Sequence, residues 1–229
     1  ISPPEYFWGY NRMTSVEGLF GAGDAVGGTP HAFSSGSFTE GRLAAKAACK
    51  YIDDGKGEGI VVSEAQINRR KEEIYKPLEH YRIYRNAIVA GDVNPHYINP
   101  KQGLDRLQKL MDEYCGGVTV NYMTNEKLLN IGLKKLAIME EDLENLAAKD
   151  VHELLRAWEL KHRHRAAECV TQHTLFRKET RWPGYYYRGD AMKVDDENWH
   201  VLTVSRRDPK TGEYTMEKAP CYHLVSDDE

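Results

Sequence analysis

The sequence predicts an α+β chain in three parts. Residues 1–60 form a strand–loop–helix piece, 61–176 a mainly helical domain built on a three-helix bundle, and 177–229 a strand-and-loop tail. Three observations carry that expectation. A glycine-rich apolar run at 18–24 precedes a small-residue loop and an alanine-rich helix. From about residue 63, apolar residues recur at three- and four-residue spacing over long stretches. After residue 177 the pattern turns to short alternating runs separated by a turn signal.

Residues 1–18 read as irregular, with Pro3, Pro4, Tyr6, Phe7, Trp8 and Tyr10. The chain opens at Ile1 without a methionine, which we read as a fragment whose N-terminal part lies upstream. The run Gly18 to Asp24 reads as a short buried strand that stops at a charge. A loop from Ala25 to Gly36 follows. Ser37 and Glu40 have capping-box spacing, so a helix is expected from Ser37 to about Tyr51 or Ile52. Asp53, Asp54 and Gly55 end it. A further helix covers about 64–76. Pro77 breaks or restarts it, and it continues to about Val89. Asn94, Pro95, His96, Asn99 and Pro100 read as a loop. Leu104, Leu107, Leu110, Met111 and Tyr114 define the next helix, stopped by Gly116 and Gly117. Thr124 or Asn125 caps another, with Leu128, Leu129, Leu136, Leu143 and Leu146 on its apolar side. Asp150 caps one running to about Phe176 that carries Val151, Leu154, Leu155 and Trp158. In the tail, 199–205 reads as a strand, 208–212 as a turn and 213–218 as the hairpin partner.

Composition narrows the function classes. Of 229 residues 41% are hydrophobic, too many for a disordered chain. The net charge of -4 gives no electrostatic case for nucleic acid or an anionic membrane. No apolar run approaches the roughly 20 residues of a membrane helix. Cys49, Cys115, Cys169 and Cys221 are scattered without a C-x-x-C, so no iron–sulfur or zinc ligand set is visible. That usage fits a reducing, cytoplasmic setting.

Gly21 and Gly23 invite a dinucleotide-fingerprint reading. The fingerprint must open a helix directly, and here the glycines run into Thr29, Pro30 and His31 instead, so we reject it. A second reading takes the strand-end acid Asp24 as an acceptor for sugar-like hydroxyls. The free amides of the following helix then favour an electron-rich oxygen, as a reduced flavin presents. A strand–loop–helix packing unit without a ligand fits the same spacing.

The run Gly18 to Asp24, the Ser35–Gly36–Ser37 stretch and the helix opening at Glu40, Gly41 and Arg42 together resemble the late flavin-binding segment of the fumarate reductase/succinate dehydrogenase flavoprotein family. The helical domain and the tail pattern Arg177, Glu179, Arg181, Arg188, Asp190, Asp195, Asp196 and Trp199 resemble that family as well. The family's dicarboxylate enzymes carry an arginine where this chain has Ala32, which argues against fumarate or succinate. The stretch 23–42, with 94–98 and 182–188, resembles the branch formed by the alpha subunits of dissimilatory adenylylsulfate reductases.

That resemblance implies an FAD enzyme interconverting adenosine 5'-phosphosulfate with sulfite and AMP through a flavin N5–sulfite adduct. It implies an iron–sulfur beta subunit as partner, whose two [4Fe-4S] clusters deliver electrons. Residues 1–60 become the C-terminal end of an FAD-binding domain. Asp24 is carried over as a ligand of the ribityl chain, and the Ser35, Gly36, Ser37 and Phe38 backbone as the ligand of the pyrimidine end. His31 is the candidate catalytic residue: imidazole titrates near neutrality and can donate to a sulfate or phosphate oxygen. Pinning its loop is its alternative role. No metal ligand is assigned.

Other residues carry two readings each. His162 and His164 lie two apart on a helix and share no face, so they read as a solvated or partner-facing patch rather than a metal site. His173 reads as packed or hydrogen-bonded. Arg177, Arg181 and Arg188 either steer an anion or, as the better reading, pair with Glu179, Asp190 and Asp195. The aromatic cluster 182–187 reads as an interface or an active-site wall. Two rival functions remain on sequence grounds. One is a fumarate reductase-like or aspartate oxidase-like flavoprotein. The other is a non-catalytic helical docking module.

Overall fold

A computed structural model describes residues 8–25, 34–59, 61–87 and 94–221. Contacts divide the chain into two compact units, Ile1–Val62 with Lys218–Glu229, and Ser63–Glu217.

In the first unit, the expected strand at 18–24 is only a single antiparallel bridge, Met13 to Phe20. Thr14 N–H donates to Leu19 O at 2.8 Å and Gly21 N–H to Arg12 O at 2.9 Å, closing a tight loop. Leu19 is exposed, and the chain turns into a 3-10 helix at Gly23–Ala25. Glycine at 18 and 23 takes positive φ, which breaks a strand.

Helix α1 spans Ser34–Asp53 and starts one turn earlier than the Ser37 box implies. The box does not form because Glu40 is held elsewhere: it is buried and ion-paired with Arg12. Glu40, Ala44, Ala47 and Tyr51 make the buried stripe at helical spacing. Tyr51 meets the rings of Tyr10 and Phe20 edge-on, at 5.2 and 6.2 Å. Asp54 accepts from Tyr10 and Lys50 beyond the helix end, where Gly55 takes φ +71°.

The second unit begins with α2, Glu64–Tyr84, capped by a Ser63–Gln66 box. The helix runs through Pro77 unbroken. The carbonyl of Ile74, next to the one Pro77 leaves without a donor, accepts the Trp158 indole N–H at 3.0 Å. Helix α3, Pro100–Tyr114, is capped by Asn99 with Gln102, so the expected loop residues Asn99 and Pro100 start a helix. Strand β1, Met123–Thr124, precedes α4, Glu126–Leu143, which Asn125 caps. Helix α5, Val151–Phe176, is capped by Asp150. Strand β2, Tyr187–Arg188, pairs with β1 in parallel. A short α6, Asp196–Trp199, precedes β3, Val201–Arg207, and β4, Tyr214–Pro220, which form a two-stranded sheet. Their loop is set by Asp208, whose Oδ1 accepts from the amides of Lys210 and Thr211, and by Gly212 at φ +77°.

Helices α3, α4 and α5 pack as a bundle around Leu107, Leu110, Leu136, Met139, Leu143, Leu146, Ala157 and Leu160. Leu146 lies past α4, in a segment where Ile98 bridges to it in parallel. Val151 and Leu155, expected on the apolar side of α5, are exposed. His164 is buried, not solvated: its Nε2 meets Leu136 O at 2.8 Å inside the bundle. His162 alone of that pair faces water.

Candidate functional site

The positions read from the sequence as ligand-bearing fall in the first unit. The 3-10 turn at Gly23–Ala25 packs against the first turn of α1. Gly23 sits at φ +66°, and a Cβ there would come within 3.1 Å of Ser37 Oγ. Glycine therefore sets both the turn and the close approach. The structure thus brings the backbone at 23–25 next to Ser37. Ser35, Gly36, Ser37 and Phe38 all lie within the opening turns of α1, where the amides of Ser35 and Gly36 lack intrahelical acceptors. Serines and a glycine leave that end uncrowded, and Phe38 is 81% exposed. His31 lies outside the described residues, as does Ala32.

One ion pair ties the loop before the turn to α1. The Arg12 guanidinium donates to both oxygens of Glu40, and those hydrogen bonds hold the Glu40 carboxyl below the usual carboxylate range. Arg12 itself takes φ +68°, an uncommon conformation for a side-chain-bearing residue, secured by that fork. Sequence reasoning missed Arg12. The only signal was Glu40, which local spacing assigned to a cap.

The arginine-rich tail is organised differently from an anion-steering site. Glu179 is fully buried and accepts from Arg177, from Arg181 Nε at 2.7 Å and Nη2 at 3.0 Å, and from the Asp195 amide at 3.0 Å. Burial alone would raise its carboxyl. The Arg181, Asp195 and Arg177 hydrogen bonds outweigh that and hold it below its ordinary value. Arg177 also stacks over Trp199 at 5.6 Å. Asp195, expected to pair with an arginine, pairs with none among the described residues; it caps α6, and Asp196 takes Arg181 at 2.9 Å.

Arg188 is completely buried. Its Nε and Nη2 grip Asp190 at 2.8 and 2.9 Å, while Nη1 donates to the carbonyls of Thr174, Leu175 and Arg177 at the end of α5. Asp190 in turn accepts the Glu126 amide, at the start of α4, at 2.9 Å. One ion pair thus joins the negative end of one helix to the positive end of its neighbour, each charge matched to its dipole. The Arg188 hydrogen bonds bring Asp190 down to about 2. These guanidiniums are committed within the protein, so the ion-pair reading holds for Arg177, Arg181 and Arg188.

His173 bridges Thr203 Oγ1 at 2.9 Å and Ser205 Oγ at 3.0 Å, and burial, then Arg177, lower its pKa. Trp182 and Tyr185 of the aromatic cluster are exposed. Among the described residues no group of three His, Cys, Asp or Glu side chains could hold a metal. No described helix is long and apolar enough to cross a membrane.

This bundle and tail define a family. The chain belongs to the family described as fumarate reductase flavoprotein C-term, whose profile matches residues 104–224. More particularly, it is 42% identical over 222 residues to the adenylylsulfate reductase subunit alpha of Megalodesulfovibrio gigas, covering 96% of this chain and 33% of that protein. It superposes on adenylylsulfate reductase from Archaeoglobus fulgidus with a TM-score of 0.89 at 51% identity, covering 95% of this chain and 34% of that one. An adenosine-5-phosphosulfate reductase in complex with sulfite as a covalent adduct matches with a TM-score of 0.88 at 50% identity, with the same coverage. The chain therefore spans about a third of the length of these relatives.

Proposed function

We propose that this chain is the C-terminal part of an adenylylsulfate reductase alpha subunit, interconverting adenosine 5'-phosphosulfate with sulfite and AMP in the cytoplasm. The observation that carries the reading is the 42% identity along nearly the whole chain to one such subunit. Residues 1–60 then close a flavin domain, 61–176 form the helical domain and 177–229 the tail.

The opening of α1 fits an FAD. A flavin held there supplies reversible two-electron exchange with sulfur. Small residues at 34–37 leave backbone donors accessible, and Gly23 lets the 3-10 turn approach them closely. The Ser35 to Phe38 backbone would hold the ring's pyrimidine end, the free amides of Ser35 and Gly36 and the positive end of the helix favouring negative charge there and a higher reduction potential. Asp24 would accept from ribityl hydroxyls. His31 holds a proton for an oxygen of the sulfate or phosphate group. Ala32 supplies no guanidinium for a dicarboxylate, which sets this reading against fumarate. Electrons would arrive from an iron–sulfur beta subunit.

The test is an assay of the full-length flavoprotein with its partner. Sulfite-dependent consumption of AMP is expected, with no fumarate reduction. Fumarate turnover without AMP consumption would overturn the assignment, and so would a purified full-length protein without flavin absorbance.

A further inference from the structure

Arg12 stands at the mouth of the loop formed by residues 12–21. Its carbonyl accepts the Gly21 amide at 2.9 Å, and inside the same loop the Thr14 amide donates to Leu19 O at 2.8 Å. With the Met13–Phe20 bridge, these bonds make the loop a short antiparallel ladder. The ladder delivers the chain at Gly21, two residues before Gly23. The Gly23 backbone then rests against Ser37 on α1, while the Arg12 guanidinium reaches Glu40 on the same helix. Ser37 and Glu40 are three residues apart and neighbours on one helix face. The contacts close a ring that runs from Arg12 through Gly21, Gly23, Ser37 and Glu40 back to Arg12.

Two observations set this ring apart from an ordinary surface ion pair. Arg12 holds φ +68°. A residue with a side chain keeps that conformation only where its surroundings over-determine it, and such residues gather at ligand-holding sites. The second observation is where the pair sits. Among the described residues, the other side-chain contacts between residues 10–21 and α1 gather around the far end of the helix, from Lys50 to Asp54. That is about 15 Å along the axis from Glu40. Near the helix opening, the grip of Arg12 on Glu40 is therefore what fixes α1 against the 3-10 turn.

We infer that Arg12 is a positioning residue for the flavin. Through its fork on Glu40 and its carbonyl bond to Gly21, it sets the distance between the turn at 23–25 and the opening of α1, the two elements that the flavin reading assigns to the cofactor. The inference rests on that reading. Arg12 acts through the backbone of both elements and not on the flavin itself.

The test uses the full-length protein. FAD is titrated into the apoprotein, and the flavin midpoint potential is read by dye-coupled reduction. Arg12→Ala and Glu40→Ala remove opposite charges but the same grip, and alanine suits the helix at 40. Each should raise the Kd for FAD at least about tenfold, because the cost of holding residue 12 in the left-handed region then falls on flavin binding. Each should also lower the potential by about 15–30 mV, a three- to tenfold larger loss for reduced flavin, whose negative charge depends most on the displaced amides. Arg12→Lys keeps the charge without the fork and should fall with them.

A charge acting directly on the flavin would move the potential in opposite directions in the two alanine variants. A pair that only stabilises the fold would lower the thermal midpoint of the apoprotein and leave the potential unchanged. Either result overturns the inference, and so does parental affinity for FAD. Where an alanine variant does not fold, Arg12→Lys decides by the same two measurements, and parental values overturn the inference. A parent chain that takes up no FAD overturns the flavin reading beneath it as well, which distinguishes the two failures.

Discussion

Replacing Arg188 with alanine removes the most connected side chain of the tail. The guanidinium is fully buried and donates five hydrogen bonds, two to Asp190 and three to the last carbonyls of α5. Its loss strands a carboxylate next to the α4 amide and opens a side-chain-sized void. Removing one partner of a buried pair costs about 3–5 kcal/mol. For a domain of this size, that lowers the melting midpoint by about 6–20 °C. Asp190→Asn should cost less, about 1–2 kcal/mol. The drop of its carboxyl to about 2 corresponds to somewhat more, but Asp190 is a third exposed and solvent screening reduces it. Arg188→Lys should behave nearly as badly as alanine, since an ammonium cannot serve carboxylate and carbonyls at once. Thermal and urea unfolding followed by circular dichroism of the full-length protein measures all three. An Arg188→Ala variant within 1 kcal/mol of the parent, or one more stable than Asp190→Asn, would refute the clamp.

The remaining expectations are more local. Stability should fall on acidification: Asp190 has a folded value below its unfolded one, so its contribution is complete above about pH 4 and is lost as the pH drops toward 2, visible as a falling urea midpoint. His173 is also lowered, by burial and then Arg177; its contribution is complete above the unfolded value near 6.5 and shrinks below it, and His173→Gln should flatten that part of the profile. Gly117→Ala should destabilise by about 1–3 kcal/mol, because its Cβ would lie 2.4 Å from the Asp112 backbone; an unchanged midpoint would show that the loop yields freely. In the full-length enzyme, His31→Ala should cut turnover strongly while flavin is retained, and near-normal turnover would exclude a catalytic role.

The long helices were legible in the sequence because their signals are local. Asn125 and Asp150 announce α4 and α5, and the leucine spacing names the bundle core. Most of the misreadings arise where a long-range partner prevails over a local one. Glu40 looked like half of a capping box but belongs to Arg12, 28 residues earlier. The 18–24 run looked like a strand but finds one bridging partner, since glycines at positive φ turn it aside. Pro77 looked like a break, yet buried packing and the Trp158 indole carry the helix past it. His164 looked solvated beside two arginines, while the bundle supplies it with a helix carbonyl. At the candidate site, residue types were readable from spacing. The contact of Gly23 with Ser37 was not, because it depends on how a loop returns.

The central claim is that backbone donors at the start of α1 and the acid of the preceding turn hold a flavin. Flavin content of the full-length protein tests it most directly, read by absorbance against protein concentration for the parent, Asp24→Ala and Gly23→Val. One flavin per parent chain is expected, with loss of flavin in both variants while the circular dichroism of the helices persists. Full occupancy in both variants would contradict the account.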